Sequence, residues 1–372
     1  MGGCMRASFK KWWLLPFGVL AALALVALGI VVVGPSFISS PSDGEVAQQT
    51  TSEPIEKAAD CSGASATEFS CYQKRYQNLV RDYGVKATFD ELKDEYEKNE
   101  FVHSSCHQLT HLIGYTAYDL YGDIPSTYSQ GDNFCWSGYY HGAMQAFVAK
   151  IGPERILEEA NTTCADQGQH QRYSFYHYNC VHGLGHGFMA VRENELFESL
   201  EMCDTLLEDW ERESCYSGVF MENVVAKDNS DHPSKYLKAD QPLYPCTDVE
   251  PHYKTQCYRM QTSYALHTQG NDFAKVFDLC ATIEDDYRPA CYQSLGRDAS
   301  GQSDHDVAKT KSTCMLGKDY EAQSECVLEA VRNIISYYDS DEQAKALCES
   351  FDADFRAACL QTAEEYYRIF LI

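Results

Sequence analysis

Positive charge is scarce in this chain of 372 residues: 30 Lys and Arg stand against 55 Asp and Glu, for a net charge of −25. Such a surface repels phosphate backbones and anionic headgroups, which excludes nucleic acid as a partner. Several signatures of common chemistries are missing too. No Cys-x-x-Cys occurs, so neither a CxxC zinc clip nor c-type haem attachment by the usual motif is supported. There is no His-Glu-x-x-His with its adjacent base, no Gly-x-Ser-x-Gly elbow, and no phosphate or dinucleotide loop.

Acid is absent from the first 42 residues. Arg6, Lys10 and Lys11 precede an uncharged run from Trp12 to Gly34, 23 residues long. That length crosses a bilayer core of roughly 30 Å as a helix and exceeds the usual apolar stretch of a cleaved signal peptide. The expectation is a cytoplasmic tail over 1–11, a transmembrane signal-anchor over 12–34 and a flexible linker over 35–56. With basic residues before the span, the bulk of the chain lies outside the cytoplasm, at the cell surface or in the periplasm. A long signal peptide cut near Ser36–Ser40 would release the same domain into the same compartment.

What the chain has in quantity is cysteine, 17 in all. Leaving out Cys4 gives an even number, as expected of disulfides in an oxidising compartment. Later cysteines fall into close pairs: Cys203/Cys215, Cys246/Cys257, Cys280/Cys291, Cys314/Cys326 and Cys348/Cys359. The first members of the last four pairs are each 34 residues apart, a period comparable to that of tetratricopeptide hairpins. NDFAKVFDLC before Cys280 reads as a short amphipathic helix, EDDYRP as a turn, and ACYQSLGRDA as the next helix. A bridge from the end of helix A to the start of helix B would staple each hairpin. Such hairpins bury their apolar faces only by stacking. The frame extends back to Cys164/Cys180 and Cys61/Cys71, leaving Cys106 and Cys135 to pair with each other. Asp228 to Pro245 reads as an insertion lengthening one unit to 43 residues. The expected fold is therefore all-α, a disulfide-stapled α-solenoid, with a His-rich section over 57–225 and plain Cys-paired repeats over 226–372.

The histidines obey the same frame. Aligned on their leading cysteines, CWSGYYHGAM, CVHGLGHGFM and CYSGVFMENV place glycine at the third position after Cys: Gly138, Gly183 and Gly218. The sixth position holds His141, His186 and Met221, and the second Ser137, His182 and Ser217. CHQLTHLIG, from Cys106, matches with a one-residue slip, aligning His107 and His111 with His182 and His186. Residues four apart share a helix face, so stacking brings His107, His111, His141, His182 and His186 onto one wall. Eight of the 12 histidines lie between His103 and His186. Imidazoles in such number match what zinc, copper, iron or nickel coordinates. Packing of histidines and tyrosines without a metal is the alternative.

Glu222, next in register after Gly142 and Gly187, is the candidate acid–base residue, as a ligand or as a base for metal-bound water. Tyr139, Tyr140 and His177 are candidates for orienting the imidazoles from behind. Met144, Met189 and Met221 nearby make copper reasonable, and ligation of haem by two histidines is a further option. The expected function is metal-dependent hydrolysis or redox chemistry at a membrane-anchored domain. The alternative is a scaffold whose solenoid face binds a protein partner.

Overall fold

The computed structural model describes residues 61, 68–165, 173–226 and 234–368. The expected tail, membrane span and linker all lie outside these residues. Among the described residues no helix is long and apolar enough to cross a membrane.

Among the described residues every element is a helix. In chain order they are α1 (Phe69–Tyr96), α2 (Glu100–Tyr121), α3 (Ile124–Tyr128), α4 (Gly138–Ile151), α5 (Pro153–Thr163), α6 (Phe175–Val191), α7 (Leu196–Asp204) and α8 (Asp209–Val225). Then come α9 (Pro251–Thr268), α10 (Phe273–Cys280), α11 (Arg288–Gln302), α12 (Val307–Cys314), α13 (Tyr320–Tyr338), α14 (Glu342–Glu349) and α15 (Ala353–Tyr366). The starts are written locally. Asn99, Asp123, Ser174, Asp272, Asp306 and Asp319 each accept a backbone N–H from the first turn that follows, satisfying a donor the helix itself cannot. Gly84, at φ 83°, kinks α1 into two helices.

Long helices form a row in which α2, α4, α6, α8, α9, α11 and α13 each pack on the next, and the short helices α5, α7, α10, α12 and α14 fill in beside them. Eight disulfides join Cys61–Cys71, Cys106–Cys135, Cys164–Cys180, Cys203–Cys215, Cys246–Cys257, Cys280–Cys291, Cys314–Cys326 and Cys348–Cys359. The hairpin plan has two exceptions among the described residues: the Cys106–Cys135 bridge ties α2 to the turn before α4, and the residues before Cys246 form turns where a helix A was expected. The bridge there ties a turn segment to α9.

Glycine sets the spacing within the row. A Cβ on Gly142 would sit 1.8 Å from the carbonyl oxygen of His111, and one on Gly218 would sit 1.9 Å from that of His182. No side chain fits at either place, so the backbones of α2 and α4, and of α6 and α8, touch where the histidines are.

Residues far apart in sequence also meet. Asp304 accepts from the Tyr96 hydroxyl at 3.3 Å and lies 3.1 Å from Nε2 of His103. Asn133 donates to Asp339 at 3.0 Å, and the rings of Phe134 and Tyr337 are 5.9 Å apart. Residues of α1, α2 and the loop before α4 thus meet α13 and the loops after α11 and α13, with a space between. That space divides into two cavities of about 440 and 340 Å³, both lined by Trp136, Met221, Met260 and Arg297.

Candidate metal centre

Three helices carry the five imidazoles: His107 and His111 on α2, His141 on α4, and His182 and His186 on α6. His141, His182 and His186 are fully buried, while His107 and His111 are half-buried. The imidazoles form two triads that share His141. One is His107, His111 and His141; the other is His141, His182 and His186. Within each triad the ligand atoms lie within 4.8 Å of one another. His141 stacks on His186 with ring centroids 4.5 Å apart. His111 bridges the triads, 5.4 Å from His186.

Each member of the two i, i+4 pairs is held from behind by Nδ1. That of His107 meets the carbonyl of Cys135 at 2.9 Å, and that of His111 meets Oε1 of Gln145 at 3.1 Å. Nδ1 of His182 meets the hydroxyl of Ser217 at 2.7 Å, and that of His186 meets Oε2 of Glu222 at 2.6 Å. These partners fix the tautomers. A carbonyl only accepts, so His107 donates from Nδ1. Gln145 uses its amide N–H on Glu222 at 3.3 Å, leaving Oε1 to accept from His111. Ser217 gives its own proton to the carbonyl of Ser214 at 2.7 Å, so it accepts from His182. Glu222 accepts from both Gln145 and His186.

All four Nε2 atoms therefore carry lone pairs. They face each other pairwise, His107 to His111 at 3.1 Å and His182 to His186 at 3.1 Å. Burial lowers the proton affinity of all five imidazoles, and neighbouring imidazoles lower that of His111, His141, His182 and His186 further; His186 falls to about 3. No proton sits between the facing atoms at neutral pH. Two lone pairs at that distance repel unless a cation lies between them. Nitrogen ligands about 2.0–2.1 Å from a tetrahedral ion stand about 3.3 Å from each other, close to the separation found. The buried Nδ1 of His141 has no hydrogen-bond partner, a further donor atom not committed to protein. The donor set fits a transition metal.

Glu222 stands behind His186, with its carboxyl pKa raised by burial. Through Gln145 it also links the two imidazole pairs. The residues expected to orient the imidazoles do other work. The Tyr139 hydroxyl donates to the carbonyl of Thr127 at 2.8 Å, and Tyr140 packs on Tyr128, Phe175 and Tyr176. His177 faces Glu211 at 3.4 Å and stacks near Trp210. Their places are taken by Gln145, Ser217, the Cys135 carbonyl and Tyr178, whose hydroxyl lies 3.1 Å from Nδ1 of His182. Met144 and Met189 are fully buried in the core, whereas Met221 lines the cavities.

One local conformation serves this arrangement. Cys135, Trp136 and Ser137 all have left-handed backbones, with φ of 55°, 56° and 58°. Each non-glycine residue in that region costs about 1–2 kcal/mol, and such strain gathers at functional sites. Here it turns the Cys135 carbonyl onto His107 and places Trp136 in the wall of both cavities. His141 and His182 line the larger cavity and His107 the smaller.

No protein-family model, curated protein or solved structure matches the chain.

Proposed function

We propose that this chain is a membrane-anchored, extracytoplasmic α-solenoid metalloprotein whose histidine cluster holds zinc, copper or iron. The metal serves hydrolysis or redox chemistry on a small molecule admitted to the interior cavity. The carrying observation is the pairwise opposition of unprotonated Nε2 atoms, each imidazole locked by a bond at Nδ1. Locking of this kind orients ligands and raises their basicity. Three neutral imidazoles leave a fourth position open, as catalytic zinc sites do. His141 and His182 border the larger cavity, which gives such a position access to substrate.

Glu222 keeps His186 in the tautomer that offers Nε2. Tyr178 and Ser217 do the same for His182. The two cavities, of about 440 and 340 Å³, suit a small ligand better than a protein surface, which favours this reading over a scaffold on the same face. Anchoring by 12–34 and oxidation of the cysteines outside the cytoplasm complete the reading.

The test is His186→Ala in the full-length chain. Loss of bound metal with an intact helical circular dichroism signal is expected. Collapse of the helical signal would make the histidines a packing device.

A further inference from the structure

The larger cavity has a second pole. Although acids outnumber bases across the chain, its wall carries Arg259, Arg297 and Arg332 against Glu213 and Glu329. Two of the arginines are spoken for. Arg332 pairs with Glu329 at 2.9 Å, and Arg297 pairs with Asp298 at 3.0 Å while donating to the carbonyl of Arg259 at 2.8 Å. Glu213 is exposed to water, where its charge is screened. Arg259 is half-buried and makes no ion pair among the described residues; its Nε is buried without a hydrogen-bond partner. In the same wall Oε1 of Gln293 is likewise buried and unpartnered. A guanidinium keeps its charge under all ordinary conditions, so Arg259 brings the cavity a positive charge that no ion pair among the described residues engages.

This pole lies close to the imidazoles. Arg259 and Arg297 line the same cavity as His141, His182 and Tyr178. Tyr178 in turn touches His182. Trp136 and Trp210 supply flat apolar surface in the same wall.

We infer that this cavity binds a small organic oxyanion, a carboxylate or phosphate group gripped by Arg259, with the rest of the ligand reaching past Trp136 and Trp210 toward His141 and His182. The planar fork of arginine matches either oxyanion with paired hydrogen bonds. This deepens the metal reading by naming the class of substrate, but it stands on the arginine wall and can fail separately.

The experiment is calorimetric titration of the full-length chain, purified from an oxidising compartment, with inorganic phosphate and with succinate. Arg259→Gln and Arg259→Lys are titrated alongside, and metal content is measured on every sample. At least one of the two anions should bind the wild type, and Arg259→Gln should weaken it about tenfold or more, with metal content unchanged. Arg259→Lys keeps the charge and should restore part of the loss, which guards against a misfolded glutamine variant. The preferred anion identifies the group as carboxylate or phosphate. Absence of binding by both anions, or equal binding to wild type and both variants, overturns the inference. A metal-free chain that still binds an anion through Arg259 keeps the oxyanion site and removes the metal chemistry.

Discussion

At the scale of single residues, the place of each proton decides what the centre can hold. Register in the sequence was enough to bring five imidazoles to one wall, because stacked helices repeat their faces. It was not enough to say what stands behind them. Ser217 occupies the same register position as His182, yet its role follows from its proton going to Ser214, which no spacing encodes. Gln145 lies one turn beyond His141 and gained meaning only when Glu222 closed the chain from His111 to His186. Tyr139 and Tyr140 sit beside His141 in sequence, but their side chains leave the helix toward Thr127, Tyr128 and Tyr176. Glu222→Gln keeps the shape while removing the charge that fixes His186. Metal affinity is expected to fall by about 10–100-fold, measured by competition with a chelator. Unchanged affinity would remove Glu222 from the centre.

At the scale of elements, cysteine period and helix spacing were legible because each hairpin is a local unit with its own staple. The break at Cys106 and Cys135 was legible only as an exception. In the structure this bridge ties α2 to the left-handed turn before α4, across the short α3, so it fixes a site-forming loop and not a hairpin. The glycines in register were readable as close approach, and the contacts at Gly142 and Gly218 give that approach its reason. Gly142→Ala would drive a methyl into the His111 carbonyl and part α2 from α4. Overpacking of this kind destabilises by about 1–3 kcal/mol or more, and it should also weaken metal binding, since it moves His111 away from His141. An unchanged melting temperature would contradict the packing described.

At the scale of the whole molecule, a local cysteine spacing does not say which distant segments meet. The meeting of Asp304 with Tyr96 and His103 joins residues about two hundred apart in sequence, beyond the reach of any local pattern. The interior cavities, and the arginine pole within them, were hidden for the same reason. Beside this seam His305 stacks on Tyr337 with ring centroids 3.9 Å apart, and burial lowers its pKa from 6.5 to about 4. The unfolded chain therefore takes up a proton at His305 below pH 6.5, whereas the folded chain does so only near 4. Stability is lost as pH falls through that window, by up to about 1.4 kcal/mol for each pH unit from this one group. In urea titrations across the window, wild type should lose stability more steeply than His305→Phe. Coincident slopes would place His305 in water.

The central claim is that the facing imidazoles hold a metal, and elemental mass spectrometry of the full-length chain, purified from an oxidising compartment without a His tag, tests it most directly. Zinc, copper or iron near stoichiometric with the chain, and absent from a folded His182→Ala/His186→Ala variant, is the expected result. A well-folded wild-type chain free of metal would contradict it.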